Sequence, residues 1–137
     1  MKVVLDTNVL VAGLLNPYGA PGRIVQMVAA GELELCFDAR ILAEYRQVLS
    51  RPVFPFRADE IEALLSQIHS AGRPAAARPL AQRLPDPGDE PFMEVAQGAE
   101  AEYLITGNSR HFPGRLRARV RVVSPHKFVE IWRETVG

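Results

Sequence analysis

Lys2-Val3-Val4-Leu5-Asp6-Thr7-Asn8 opens with three consecutive apolar residues that run straight into an acid. An unbroken apolar run, not an alternating one, is what a parallel strand covered on both faces requires, so Lys2 to Leu5 reads as a central buried strand ending at Asp6. A short apolar helical segment follows Asn8 (Val9, Leu10, Val11, Leu14, Leu15) and is broken by Asn16-Pro17-Tyr18-Gly19; a second helix starts at Pro21 and runs towards Gly31. Glu34 to Phe37 is the next strand. Asp38 is placed to cap a helix carrying Ile41, Leu42, Tyr45, Val48 and Leu49, which closes before Pro52, and Ile61, Leu64, Leu65 and Ile68 mark another amphipathic helix. Gly72 to Leu84, rich in Ala, Arg and Pro, reads as loop. A helix from about Asp89 to Ala99 leads to a strand at Tyr103 to Thr106. The last strand covers Val120 to Val123, and Ser124 caps a C-terminal helix with Pro125 in its first position. Short apolar strands alternating with helices predict an α/β fold of three layers, helix, sheet, helix, around a mainly parallel sheet.

At 137 residues and 47% hydrophobic content, the chain has the size of one globular domain, residues 1–137, able to bury a core without staples. No apolar run approaches the roughly 20 residues that span a bilayer, and the N-terminus meets an acid too early for a secretion signal, so the expectation is a cytoplasmic protein with no membrane association. Cys36 is the single cysteine, which removes any intrachain disulfide and any Cys-rich zinc site; it reads as a buried thiol. Sixteen basic residues balance sixteen acidic ones, so no global field favours nucleic acid. Their distribution is uneven: Arg110, Arg115, Arg117, Arg119 and Arg121 fall in one short stretch, either a phosphate-binding or partner surface or a solvated face.

In parallel α/β sheets the functional crevice lies outside the carboxyl ends of the strands, so acids that end strands or begin the following helices are the ones to weigh. Asp6 ends the first strand, though an Asp there also serves as a helix cap. Glu44 lies one turn from both Ile41 and Val48, at the margin of its helix's apolar stripe, where a carboxylate needs an Arg or a metal as partner. Asp89 shares a face with Phe92, Met93 and Ala96, and its helix leads into a parallel strand, so it belongs at the same sheet edge as Asp6. Asp86-Pro87-Gly88-Asp89 is also good turn chemistry, in which either acid shapes the turn or caps the helix. Carboxylates crowded at one edge repel unless a cation joins them, and hard oxygen ligands suit Mg²⁺ or Mn²⁺. The chemistry that follows from such a site is phosphodiester hydrolysis.

These segments, taken in order, resemble the PIN-domain family: Met1 to Leu15 around Asp6-Thr7-Asn8-Val9-Leu10, then Leu42-Ala43-Glu44-Tyr45, then Asp86 to Ala96, then Tyr103-Leu104-Ile105-Thr106-Gly107-Asn108. The resemblance covers nearly the whole chain and is nearest to PIN proteins described as toxins of toxin-antitoxin pairs. It implies an endoribonuclease using Mg²⁺ or Mn²⁺, with Asp6, Glu44 and Asp89 as the principal acids and metal ligands. It further implies Asn8 and Thr106 as supporting residues, Asp86 assisting or replacing Asp89, a cognate antitoxin and a homodimer. The fourth acidic position falls on Asn108, which brings no charge, so one firm metal site is expected where the family pattern allows two. Arg110 and His111, just behind it, are candidate RNA contacts. Leu14, Tyr18 and the helix at Ile61 to Ile68 are candidate antitoxin surfaces.

Two other readings compete. A haloacid-dehalogenase-like phosphohydrolase also ends its first strand in Asp, but needs a second Asp two residues on, where this chain has Asn8. A non-catalytic PIN-like module that binds RNA or protein would make Asn108 the mark of lost catalysis; a pure phosphate binder, however, gains nothing from clustered negative charge.

Overall fold

Val3, Val4 and Leu5 are fully shut off from solvent in the computed structural model, which describes residues 1–136, and the strand they form, β1 (Lys2–Leu5), lies at the centre of the sheet. The other strands are β2 (Glu34–Phe37), β3 (Arg73–Pro74), β4 (Tyr103–Ile105) and β5 (Arg121–Val123), in the spatial order β3-β2-β1-β4-β5, all parallel. The helices are α1 (Thr7–Leu15), α2 (Ala20–Ala29), α3 (Ala39–Leu49), α4 (Ala58–Ala71), α5 (Glu90–Gly98) and α6 (Pro125–Val136). Among the described residues, none is long and apolar enough to cross a membrane. α1, α2 and α6 pack together while α5 lies across β1, β2 and β4, completing the three layers.

Strand order decides where the crevice opens. From β1 the chain moves outward through β2 to β3, then returns to the other side of β1 for β4 and β5. The direction reverses between β1 and β4, and a parallel sheet parts its flanking helices at the carboxyl end of that switch point. Register pairs Leu5 with Ile105, so Asp6 and Thr106 stand side by side immediately beyond the last paired residues. The Asp6 N–H donates to the Ile105 carbonyl at 3.0 Å, extending the ladder by one residue.

Local chemistry explains most boundaries. Asp6 caps α1 by accepting from the Thr7 N–H, Asp38 caps α3 by accepting from the Ile41 N–H, and the Ser124 hydroxyl accepts from the Lys127 N–H in the first turn of α6. α1 and α2 approach closely because Gly13 and Gly22 lack side chains: a Cβ on Gly22 would lie 2.4 Å from the Pro17 carbonyl carbon. Tyr45 on α3 is wholly buried and its hydroxyl donates to the Leu5 carbonyl at 2.6 Å, locking that helix to the end of β1.

Three expectations need correction. The Gly72 to Leu84 segment is not all loop, since Arg73–Pro74 pairs with Cys36 and Phe37 as an edge strand. Two residues carry no periodicity, and Pro is tolerated at an edge because no neighbour needs its missing N–H. α1 begins at Thr7, two residues ahead of the sequence reading, and α2 at Ala20, one residue ahead. Asp89 lies before α5, at the end of a 3₁₀ turn spanning Pro87–Asp89.

Candidate active site

Asp6 is held from both sides. One carboxylate oxygen accepts from the Thr7 N–H at 2.8 Å and the other from the Thr106 hydroxyl at 2.7 Å, while the Thr106 oxygen itself accepts from the Asn108 N–H at 3.0 Å. The side chain is therefore fixed by the two strands that flank the switch point. Burial raises the Asp6 pKa; the hydrogen bonds from Thr106 and Thr7 and the nearby His111 oppose that shift, and Asp86 adds to it.

The turn Asp86-Pro87-Gly88-Asp89 divides its two acids between two tasks. Asp86 Oδ1 accepts from the Gly88 N–H at 2.9 Å, so Asp86 shapes the turn. Asp89 makes no side-chain cap on α5, and its Oδ2 is buried without a hydrogen bond. His111 Nδ1 stands 3.2 Å from that oxygen. Burial, followed by the charges of Asp6 and Asp86, pushes the Asp89 pKa up to about 6 against the opposing pull of His111.

Asp6, Thr7, Asn8, Asp86, Asp89, Asn108 and His111 line one cleft of about 510 Å³. Glu44 does not line it. Its carboxylate accepts from the Thr7 hydroxyl, so it lies behind the cleft wall, one side chain removed from Asp6. Among the described residues, no three His, Cys, Asp or Glu side chains converge as a ready-made set of metal ligands. The oxygens of Asp6, Asp89, Asp86 and Asn108 are nonetheless hard donors, and an orphaned buried carboxylate oxygen among them is the environment a hard divalent cation fits. Asn8 accepts weakly from the Gly107 N–H at 3.5 Å, and Arg110 is exposed outside the cleft.

The arginine stretch is split by the fold. Arg117 donates to the Phe112 and Ser109 carbonyls, and Arg121 donates to the Tyr103 hydroxyl with its guanidinium 5.7 Å from that ring centre, so both staple the structure. Arg110, Arg115 and Arg119 are exposed. Sequence reasoning missed four participants. Thr7 couples Glu44 to the site, Tyr45 positions α3, and Arg51 and Phe54 line the same cleft as the acids. Only Thr7, lodged between Asp6 and Asn8, carried a signal in the linear chain.

The PIN-domain sequence profile matches residues 2–110. The chain belongs to the PIN-domain family. No curated protein matches it in sequence. Among solved structures, this PIN domain is similar to FitAcB from Neisseria gonorrhoeae, at 16% identity over 90% of this chain and 98% of that chain, with a TM-score of 0.57. It is also similar to FitAB bound to an IR36 DNA fragment, at 17% identity over 90% of this chain and 94% of that chain, with a TM-score of 0.55. At such identities the likeness is one of fold: the parallel sheet and its flanking helices are shared across nearly the whole length.

Proposed function

We propose that this PIN domain is a divalent-metal-dependent ribonuclease that hydrolyses RNA phosphodiester bonds, acting as the toxin of a toxin-antitoxin pair. The observation that carries the reading is Asp89 Oδ2, a buried carboxylate oxygen with no hydrogen bond, beside two further acids at the switch point. Burying such a group beside like charges, with only the His111 imidazole near it, is costly, and a bound cation would offset that cost. Asp6 and Asp89 are the residues that would hold Mg²⁺ or Mn²⁺, with Asp86 or the Asn108 amide oxygen assisting. When bound, the ion supplies positive charge to the scissile phosphate and lowers the pKa of a coordinated water. Thr7 and Thr106 hold Asp6 in place, Glu44 holds Thr7, and Asn8 lines the same wall. His111, beside Asp89 in the cleft, is placed to contact a phosphate; Arg110 offers a further contact outside it. With Asn108 in place of a fourth acid, the site supports one firm metal.

The antitoxin reading is supported by a largely apolar groove of about 200 Å³ lined by Leu14, Leu49, Phe56, Glu60, Ile61 and Leu64, a surface suited to apolar side chains of a partner. Tyr18, 91% exposed, lies outside that groove and remains a candidate contact for an antitoxin or a second copy. The FitAB structure contains DNA, which makes DNA a necessary competitor in any test of RNA as substrate.

The test is cleavage of labelled single-stranded RNA and of the matching DNA in Mn²⁺, in Mg²⁺ and in chelator, with Asp6→Asn and Asp89→Asn variants shown to be folded. Metal-dependent RNA cleavage that disappears in both variants is expected. RNA binding without cleavage in either metal would instead support a non-catalytic module, the reading favoured by Asn108 and by the separation of Glu44 from the cleft.

A further inference from the structure

We propose that Arg51 and Phe54 form a substrate-positioning wall that seats one single-stranded nucleotide, its phosphate on the Arg51 guanidinium and its base on the Phe54 ring. This inference rests on the nuclease reading of the same cleft. The cleft lining combines three acids, Asp6, Asp86 and Asp89, with the apolar side chains of Val11, Leu15, Val48 and Phe54 and with one arginine, Arg51. A metal-holding floor needs no apolar wall, and a nucleotide needs both an anion site and a flat apolar surface.

Arg51 differs from its neighbours on the same stretch of chain. Arg40 pairs with Glu94 at 2.6 Å and Arg46 pairs with Glu62 at 2.9 Å, whereas the Arg51 guanidinium pairs with none of the described acids, although it lines a cleft that contains three. A cation kept at the mouth of an acidic cleft and left without a carboxylate is positioned for an anion that arrives with the substrate. Phe54 is carried on the same tight turn, whose ends are joined by the Phe54 N–H donating to the Arg51 carbonyl at 3.0 Å. Pro52 occupies the second turn position, where its fixed φ pre-sets the bend. Behind Phe54 stands Phe56, with ring centres 5.8 Å apart, so the ring is braced while part of it remains open to the cleft. Guanidinium and ring are thus presented together by one hydrogen-bonded turn. A duplex hides its base faces and cannot use such a ring. A basic peptide would suit the acidic side but would meet Arg51 as a like charge.

The test is fluorescence anisotropy with a short labelled single-stranded oligoribonucleotide in Mg²⁺, in an Asp89→Asn background so that the probe is not consumed. Arg51→Gln is expected to weaken binding by about 10-fold and to lower the salt slope by about one phosphate contact, while Arg51→Lys keeps the slope. Phe54→Ala is expected to weaken binding by about 10-fold with the slope unchanged, and Phe54→Leu, which retains packing on Phe56, behaves like it. A duplex of the same sequence should compete poorly. Absence of RNA binding, variants that bind like their parent, or equal competition by duplex would each overturn the proposal. So would loss of affinity only for a basic amphipathic peptide, which would make the wall a protein interface. The nuclease reading fails separately: binding that responds to Arg51 and Phe54 without cleavage in any metal removes the activity and keeps the wall, whereas cleavage with KM unchanged in both variants does the reverse.

Discussion

Two acids near the start of one helix are buried to a similar degree and treated in opposite ways. Glu94, inside α5, accepts from Arg40 at 2.6 Å and from the Leu80 N–H at 3.1 Å, and so ties α3, α5 and the segment before the Pro87 turn together. Asp89, just ahead of the same helix, has an orphaned oxygen, two acidic neighbours and a single imidazole. Their side chains are 10% and 13% exposed, so depth does not separate them. Compensation does. A buried charge with both oxygens answered is a structural fastener, and one left with an unanswered oxygen beside like charges is tolerable only where something absent from the chain completes it.

The contrast can be broken most decisively by activity. Asp89→Asn or Asp6→Asn should cut metal-dependent cleavage by at least about 100-fold, while Glu94→Gln leaves it near the parent value; initial rates on one labelled RNA in Mn²⁺ decide this. Equal losses from Glu94 and Asp89 would erase the distinction.

Stability should show the reverse order. Glu94→Ala strands the Leu80 N–H and leaves Arg40 with Asp38 as its remaining partner, and because Arg40 is itself 48% exposed the loss is screened to about 2 kcal/mol, measurable by urea denaturation. Asp89→Asn removes a repelling charge and should cost nothing or stabilise in chelator.

A pH series sharpens the same point. The Asp89 carboxyl is raised from its ordinary 3.8 to about 6 in the folded state. The folded protein therefore holds that proton more tightly than the unfolded chain does. Its favourable contribution is complete below about pH 4 and is lost as pH rises through about 6. Relative to Asp89→Asn, the parent should lose stability across that window in chelator, and Mg²⁺ or Mn²⁺ at neutral pH should restore it. A parent and variant that track each other across the range would remove the electrostatic argument.

The smallest expected effect is at Tyr45. Tyr45→Phe leaves the Leu5 carbonyl without its buried donor and should cost about 1 kcal/mol in the same denaturation assay, with the sheet edge and metal response retained.

Much of this was legible in the linear chain. The apolar run of β1, the caps Asp6, Asp38 and Ser124, and the helix periods each depend on residues within a turn or two of one another, which is why α3, α4, β2 and α6 stand close to where the pattern puts them. Asp6 and Asp89 were identifiable as acids of one edge because parallel sheets place strand ends and helix starts together, whereas Glu44, expected beside them, does not line the cleft and Asp86 does. β3 escaped because two residues on an edge have no period and take their strand character from Cys36 and Phe37. The arginine stretch misled because a cluster of like residues in sequence says nothing of their partners; Arg117 and Arg121 turned inward onto carbonyls and a tyrosine.

From the sequence alone came the α/β class, the order of the elements and the short-range chemistry of caps and turns, because these arise from interactions between residues close in the chain. Tertiary structure decided which strands flank the switch point, that Glu44 answers to Thr7 while Asp89 answers to nothing but His111, and that Arg51 and Phe54 share one cleft with the acids. Those are contacts between residues distant in sequence, and whether a charge is compensated depends on the neighbours that folding brings to it.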